Sequence, residues 1–199
     1  MLYALLKNLI KFYLLIFNHW QIKGQENIPQ EGPLVLIANH VSLWDPVVFA
    51  CSVNRPICFM AKEELFQIPI LGKLISRLNA FPVKRGQADR RAIRQANKLL
   101  KENKVIGLFP EGKRGETGKL LPFHPGAAHL ALRAQAPIVP LYLEGTRTTF
   151  PLTIRGKIKV RIGEPYYYSL CEGQKISADD LAKVTTEITA RMKSLMKDV

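Results

Sequence analysis

Two residues of the segment 39–46 have side chains and a spacing that suit acid–base chemistry. Histidine side chains titrate near neutral pH, so His40 could accept a proton from a hydroxyl group. Asp45 is the residue type that usually orients such a histidine and stabilises its protonated form. On one continuous helix the two side chains would point about 140° apart, so they can meet only if the chain turns between them. The structural alternative is that Asp45, directly before Pro46, is a plain helix N-cap and His40 has no chemical role.

The elements around this pair predict an α/β fold. The continuous apolar run Leu34–Ala38 is typical of a strand buried on both faces. The other predicted strands are 57–61, 104–109, 138–143 and 153–163, and the predicted helices are 46–53, 86–103, 125–134 and 177–197. Alternating strands and helices favour a single layer of mostly parallel β-sheet flanked by helices. Ligands of such sheets bind beyond the carboxyl ends of the strands, where His40 would lie.

Two short segments place cations beside glycine. They are residues 81–86 and 109–115, and the second also contains a carboxylate. Arg can bind a phosphate through two donors, Lys adds a point charge, and glycine lets backbone N–H groups approach an anion. The candidate binding residues are Lys84, Arg85, Glu111, Gly112 and Arg114. A phosphate site is one interpretation and solvated turns are the other, while the Walker pattern for a nucleoside triphosphate is absent from the sequence.

The charge balance indicates an anionic partner. The chain has 199 residues, 29 basic and 16 acidic, for a formal charge of +13, and 47% of its residues are hydrophobic, which excludes a disordered polyelectrolyte. Segment 84–104 holds eight cations and two acids, and segment 147–161 holds five cations and no acid. The helix predicted over 86–103 and the strand predicted over 153–163 would each have one apolar and one basic face. The basic faces could be solvated, contact anionic lipid headgroups, or dock an acidic carrier protein.

Residues 1–20 are strongly apolar but are interrupted by polar side chains. On a helix, Lys7, Lys11 and Asn18 fall within a narrow arc, and apolar residues cover most of the remaining circumference. The pattern favours an amphipathic helix lying in a membrane interface, with Trp20 near the headgroups. A spanning helix and an ordinary core or partner helix are the alternatives. We therefore expect an interfacial anchor over 1–20 and a catalytic domain over 21–199.

Four segments, in this order, resemble the PlsC-like glycerolipid acyltransferases of the lysophosphatidate acyltransferase type. The HxxxxD block of that family matches Asn39–Pro46, its second block matches Phe81–Gly86, and its fourth block matches Pro137–Pro140. The third block matches Phe109–Gly115, with Gly115 where the family commonly has Ser. The resemblance covers roughly residues 21–165, and four blocks with family-like gaps are far more specific than HxxxxD alone.

The resemblance implies transfer of a fatty acyl group from a thioester to the sn-2 hydroxyl of 1-acyl-sn-glycerol 3-phosphate, giving phosphatidic acid for phospholipid biosynthesis. It implies that His40 deprotonates the hydroxyl, that Asp45 orients His40, and that no covalent acyl-enzyme forms. It further implies that Arg85 and Arg114, with Lys84 as a helper, hold the acceptor phosphate. Glu111 and Gly112 would shape their loop, and Glu111 would bind either the glycerol of the acceptor or a backbone group of the loop.

The resemblance also sets the expected partners. These are lysophosphatidic acid, acyl-CoA or acyl-carrier protein as donor, and an anionic membrane surface; no cofactor and no nucleic acid are expected. The enzyme would be monotopic, on the cytoplasmic face of the cell membrane. Another lyso-lipid acceptor is the alternative with the same fold and chemistry. A basic nucleic-acid-binding protein is a distant third, because the basic segments lack the interleaved aromatics of a single-strand platform.

Overall fold

A central sheet organises the chain in a computed structural model of the protein, which describes residues 2–84, 89–115, 119–149, 156–168, 170 and 174–197. Within those residues the sheet has seven strands, in the order β1-β7-β6-β2-β5-β3-β4. The strands are β1 (Gln21–Lys23), β2 (Leu34–Ala38), β3 (Ile57–Lys62), β4 (Phe81–Val83), β5 (Val105–Leu108), β6 (Ile138–Glu144) and β7 (Lys159–Ile162). The helices are α1 (Leu2–Phe17), α2 (Asp45–Ser52), α3 (Glu63–Phe66), α4 (Pro69–Arg77), α5 (Arg90–Lys101), α6 (Gly126–Ala134), α7 (Thr146–Thr149) and α8 (Ala178–Lys197).

Most of the strand pairs are parallel. Strand β2 lies between β5 and β6 and is parallel to both, and β3 is parallel to β5 and β4. Only the β6–β7 pair, among the described strands, is antiparallel. The predicted fold class, a mostly parallel α/β sheet flanked by helices, is confirmed. Because β2 is central, the segment that follows it leaves from the middle of the sheet's carboxyl edge.

The two faces of the sheet carry different helices. Leu34 and Leu36 of β2 pack in the cluster that contains residues of α1 and α2. Val35 and Ile37 pack in a second cluster with residues of α5, α6 and α8. All five residues of β2 are fully buried, as the apolar run predicts for a strand covered on both sides. Helices α1 and α5 therefore lie on opposite faces of the sheet.

Helix α1 turns its polar stripe toward the protein. Leu14 is fully buried, and Lys7 Nζ donates to the carbonyl oxygen of Val53. The opposite side of the helix is apolar and exposed, and its most exposed members are Leu5, Leu9, Phe12, Leu15 and Ile16. Trp20 is 8% exposed and belongs to the core, so its predicted place near lipid headgroups is wrong. Across the described residues, no helix combines the length and apolar character needed to cross a membrane.

Several predicted elements have different bounds in the structure. The helix predicted over 86–103 begins at Arg90, where the Asp89 side chain caps it, and residues 86–88 lie outside the described part. The strand predicted over 153–163 is confined to Lys159–Ile162; residues 156–158 are irregular, and 153–155 lie outside the described part. The terminal helix has its predicted capping box, because Ser177 and Asp180 exchange backbone-to-side-chain hydrogen bonds.

The basic face predicted for the strand over 153–163 is wrong at Arg161. Its side chain is only 9% exposed, and Nη2 lies 2.9 Å from Glu144 Oε2. Nη1 donates to the carbonyl oxygen of Leu195 at 3.2 Å, and the guanidinium lies over the Tyr142 ring. Arg161 therefore binds β7 to β6 and to the end of α8, and it is not available to an external anion.

Candidate active site

The segment after β2 is fixed by a buried asparagine. Asn39 Nδ2 donates to the carbonyl oxygen of Leu143 at 3.0 Å, and its Oδ1 accepts from Leu143 N at 2.7 Å. This paired contact joins the end of β2 to β6 much as another rung of the sheet would. The backbone that presents His40 is therefore held where it leaves the sheet.

His40 and Asp45 meet, as the interpretation of the segment as a turn requires. His40 Nδ1 lies 2.8 Å from Asp45 Oδ2, and the same oxygen accepts from Val41 N at 2.6 Å and Ser42 N at 2.7 Å. The two backbone N–H groups wrap the chain around the carboxylate, which brings its partner to the imidazole. Asp45 is the first residue of α2 and Trp44 is the N-cap, so the plain N-cap interpretation of Asp45 is wrong. The carboxylate binds the turn that precedes the helix and is fully buried.

A third side chain, which no sequence motif predicts, completes the surroundings of Asp45. Thr146 Oγ1 donates to Asp45 Oδ1 at 2.5 Å, and Thr146 is fully buried. Thr146 begins α7 directly after Gly145, at the carboxyl end of β6. Thr146 follows the carboxyl end of a strand, where ligands of such sheets bind. Nothing in the local sequence links Thr146 to Asp45, which lies 101 positions earlier.

The imidazole of His40 rests on an aromatic wall. The Phe109 ring stacks on it with centroids 4.2 Å apart and planes 21° apart. Phe49 packs edge-on against Phe109, and the Phe59 ring lies nearly parallel to Phe109. The His40 side chain is 8% exposed. With Nδ1 bonded to Asp45, Nε2 is the nitrogen left for a substrate hydroxyl.

Glu111 acts on the backbone of His40. Its Oε1 accepts from His40 N at 2.8 Å and its Oε2 accepts from Leu121 N at 2.9 Å. Burial raises the pKa of the Glu111 carboxyl, and the two N–H donors partly offset that effect. The carbonyl oxygen of His40 accepts from Gly115 N at 2.8 Å. Both backbone groups of His40 are thus held by the loop after β5.

The same loop exposes cations. Gly112 has φ +69°, a left-handed conformation that favours glycine, and its N–H closes a turn onto the carbonyl oxygen of Phe109. Lys113 and Arg114 follow with exposed side chains. A Cβ on Gly115 would lie 3.3 Å from the carbonyl oxygen of Lys119, so the larger residue common in the family would need a small shift of that neighbour.

The other predicted cations are only partly described. Lys84 follows β4, is half exposed, and its Nζ lies 3.8 Å from Glu63 Oε2. Its backbone N–H donates to Asp89 Oδ2 at 2.9 Å, which joins the end of β4 to the start of α5. Arg85 lies outside the described residues. Strands β4 and β5 are separated only by β3, so Lys84 and Arg114 leave the same edge of the sheet from strands roughly 10 Å apart.

An apolar cleft opens beside these loops. Its volume is about 320 Å³, and its lining includes Met60, Ile93, Leu108, Phe109, Leu130 and Leu181. Phe109 lines the cleft and its ring also stacks on His40, which is not itself part of the lining. Within the described part of the chain, no three or more His, Cys, Asp or Glu side chains are grouped so that they could hold a metal ion.

A mostly parallel α/β sheet that holds a buried His–Asp pair at its carboxyl edge places the chain among α/β enzymes with acid–base chemistry. The profile of the protein family described as Acyltransferase matches residues 19–144, and the chain belongs to this family. The family predicted from the four sequence blocks is thereby confirmed.

Named relatives agree with that assignment. The chain is 31% identical over 195 residues to the 1-acyl-sn-glycerol-3-phosphate acyltransferase of Bacillus subtilis (strain 168), covering 98% of this chain and 96% of that protein. It is 32% identical over 163 residues to a chloroplastic protein of the same activity from Brassica napus, covering 77% of this chain but only 46% of that longer protein. The crystal structure of the 1-acyl-sn-glycerophosphate acyltransferase PlsC from Thermotoga maritima superimposes with a TM-score of 0.75 at 28% identity, covering 98% of this chain and 80% of that one.

Proposed function

We propose that this acyltransferase moves a fatty acyl group from an acyl thioester to the sn-2 hydroxyl of 1-acyl-sn-glycerol 3-phosphate, forming phosphatidic acid. The observation that carries the proposal is the hydrogen bond between His40 and the fully buried Asp45 at the carboxyl edge of the sheet. The names of the Bacillus and Thermotoga relatives support this choice of acceptor. Phospholipid biosynthesis is the process in which this reaction belongs.

The geometry supports His40 as a general base. With its Nδ1 proton donated to Asp45, His40 accepts the acceptor hydroxyl proton at Nε2. The hydroxyl oxygen attacks the thioester carbonyl carbon, the C–O bond forms, and the C–S bond breaks. The departing thiolate takes the proton from the imidazolium, so His40 ends the cycle neutral. Asp45 stabilises the transient positive charge, and Thr146 holds Asp45 in place.

The exposed cations support a site for the acceptor phosphate. Arg114 leaves the loop whose backbone holds His40, so a phosphate bound there would be set at a fixed distance from the base. Lys84 leaves the same edge of the sheet, and Arg85 follows it in sequence. Both oxygens of Glu111 accept backbone N–H groups, which favours a role in holding the loop over one in binding glycerol.

The exposed apolar side of α1 supports binding to a membrane interface. Leu5, Leu9 and Phe12 are each more than 60% exposed, and Leu43, three residues after His40, is 71% exposed. Apolar side chains next to the site suit an enzyme that takes a lipid acceptor from the bilayer surface. We place the enzyme as monotopic, on the cytoplasmic face of the cell membrane and against anionic headgroups. Phe12→Asp should reduce co-sedimentation with anionic vesicles, whereas the same change at exposed Tyr167 should not.

The donor in this proposal is acyl-CoA or acyl-carrier protein, used as a substrate, and no resident cofactor takes part. The test is product identification by mass spectrometry after incubation of purified protein with a mixed pool of acyl thioesters and lyso-acceptors. Phosphatidic acid should be the main product. His40→Ala should abolish its formation while leaving the thermal unfolding curve close to that of the parent protein. Preferential acylation of a phosphate-free lyso-lipid would refute the proposed acceptor, and full activity in His40→Ala would refute the mechanism.

A further inference from the structure

Helix α5 has an outward face made of cations. Its inward side consists of Ala92, Ala96 and Leu100, all buried against the sheet. The outward side, here called the α5 basic face, contains five exposed side chains: Arg90, Arg91, Arg94, Lys98 and Lys101. The helix has no acidic residue, and in the described part of the chain none of the five forms an ion pair. Five like charges without internal partners suit an external polyanion.

The direction of the α5 basic face separates two possible partners. Helix α1 packs on one face of the sheet with its exposed apolar side turned away from the protein. Helix α5 packs on the other face with its cations turned away from the protein. The two surfaces therefore point in opposite directions, and a bilayer that receives α1 lies on the far side of the sheet from the α5 basic face. This geometry favours a partner that approaches from the aqueous side.

The apolar cleft is lined by a residue of α5 and by the ring that stacks on the histidine. Ile93 of α5 is part of its lining, and so is Phe109, whose ring stacks on His40. An acyl chain within these apolar walls would lie beside α5 and against the ring that stacks on His40. One helix thus contributes both the α5 basic face and part of the cleft lining.

We propose that the α5 basic face docks the acidic carrier protein that bears the acyl thioester. This inference rests on the proposed function and specifies its donor. The twelve residues of α5 extend about 18 Å, a length that matches a short helix edged with carboxylates. Exposed complementary charges of this kind mainly raise the association rate and fix the orientation of the partner. A carrier protein has many carboxylates for all five cations, whereas the phosphates of CoA are few and compact.

The test compares two donors with one acyl chain. Arg91→Glu/Arg94→Glu reverses two charges of the α5 basic face, and Lys193→Glu/Lys197→Glu makes the same change in net charge at exposed positions of α8. Steady-state rates are measured with palmitoyl-acyl carrier protein and with palmitoyl-CoA, and binding of the carrier protein is followed by calorimetry. The α5 variant should lose about tenfold or more in kcat/KM for the carrier-protein donor and in carrier affinity, and stay within about twofold for the CoA donor. The α8 variant should resemble the parent with both donors.

Three results would overturn the inference: equal losses with both donors, no loss with either, or loss of anionic-vesicle binding in the α5 variant, which would assign the face to lipid headgroups. Added salt should weaken carrier binding to the parent protein much more than to the α5 variant, because exposed ion pairs are screened. Calorimetry measures binding of the carrier protein without requiring the reaction, so docking and the proposed function are tested separately. A chain that binds the carrier protein through α5 yet forms no phosphatidic acid would leave the docking surface intact and refute the reaction.

Discussion

Asp45→Asn removes the charge beside His40 and can preserve nearly every hydrogen bond. The amide oxygen in the Oδ2 position can accept from His40 Nδ1 and from the N–H groups of Val41 and Ser42. The amide NH₂ in the Oδ1 position can donate to Thr146, because a hydroxyl accepts as well as donates. We therefore expect the variant to fold, with a loss of stability below about 3 kcal/mol.

The expected loss in rate is much larger. His40 becomes an imidazolium when it takes the hydroxyl proton, and its charge centre then lies about 4 Å from that of the Asp45 carboxylate. At an effective dielectric constant of about 20, this attraction amounts to about 4 kcal/mol. Without it kcat should fall about 10³-fold, since about 1.36 kcal/mol corresponds to a factor of ten. An amide that turns its NH₂ toward His40 would impose the wrong tautomer and increase the loss.

The assay is kcat at saturating acceptor and donor, measured beside a thermal unfolding curve. Asp180→Asn is a matched control, because that carboxylate also accepts hydrogen bonds from backbone and hydroxyl donors, in the cap of α8. It should leave kcat unchanged. A folded Asp45→Asn variant with kcat within tenfold of the parent would show that the carboxylate charge is not needed, and the general-base mechanism would be wrong.

The other predictions concern single contacts. Thr146→Val should lower kcat about tenfold or more, because Asp45 loses a charge-assisted hydrogen bond. Thr146→Ser keeps the hydroxyl and should keep most of the activity. A large loss of kcat in Thr146→Ser would contradict this role of the hydroxyl. Arg114→Ala should raise the KM for the acceptor with little change in kcat, as initial rates over a range of acceptor concentrations will show. Burial and neighbouring Lys11 lower the pKa of Lys7 to about 8. The unfolded chain then binds more protons between about pH 8 and 10, so urea unfolding should show stability rising with pH across that window, and Lys7→Met should remove the rise.

The parts of the fold that follow local rules were predictable. Leu34–Ala38 forms a strand with helices on both faces of the sheet, where every side chain of a short continuous apolar run is buried. The capping box of α8 is visible as Ser177 and Asp180 at the right spacing. The meeting of His40 and Asp45 follows from their place between a strand and a helix, where the chain must turn.

The features that were missed depend on contacts distant in sequence. Alternation predicts Arg161 on an exposed face, but the end of α8 covers that face and Leu195 accepts a hydrogen bond from it. Trp20 is buried because the chain after α1 turns back into the core, which the apolar periodicity of residues 1–20 cannot show. Helix α4 was not predicted, and its apolar residues, such as Ile70 at 85% exposure, belong to neither core cluster. Thr146 joins the site only through the pairing of β2 with β6.

The way the loop after β5 holds His40 has a consequence for protein engineering. Glu111 binds the backbone N–H of His40, Gly115 binds its carbonyl oxygen, and Glu111 also reaches Leu121. An insertion or a transplanted loop between residues 111 and 121 would therefore change the loop and also displace the imidazole of His40. Acceptor preference should be easier to redesign at the side chains of Lys113 and Arg114, which point outward from this loop and can be exchanged one by one with its length unchanged.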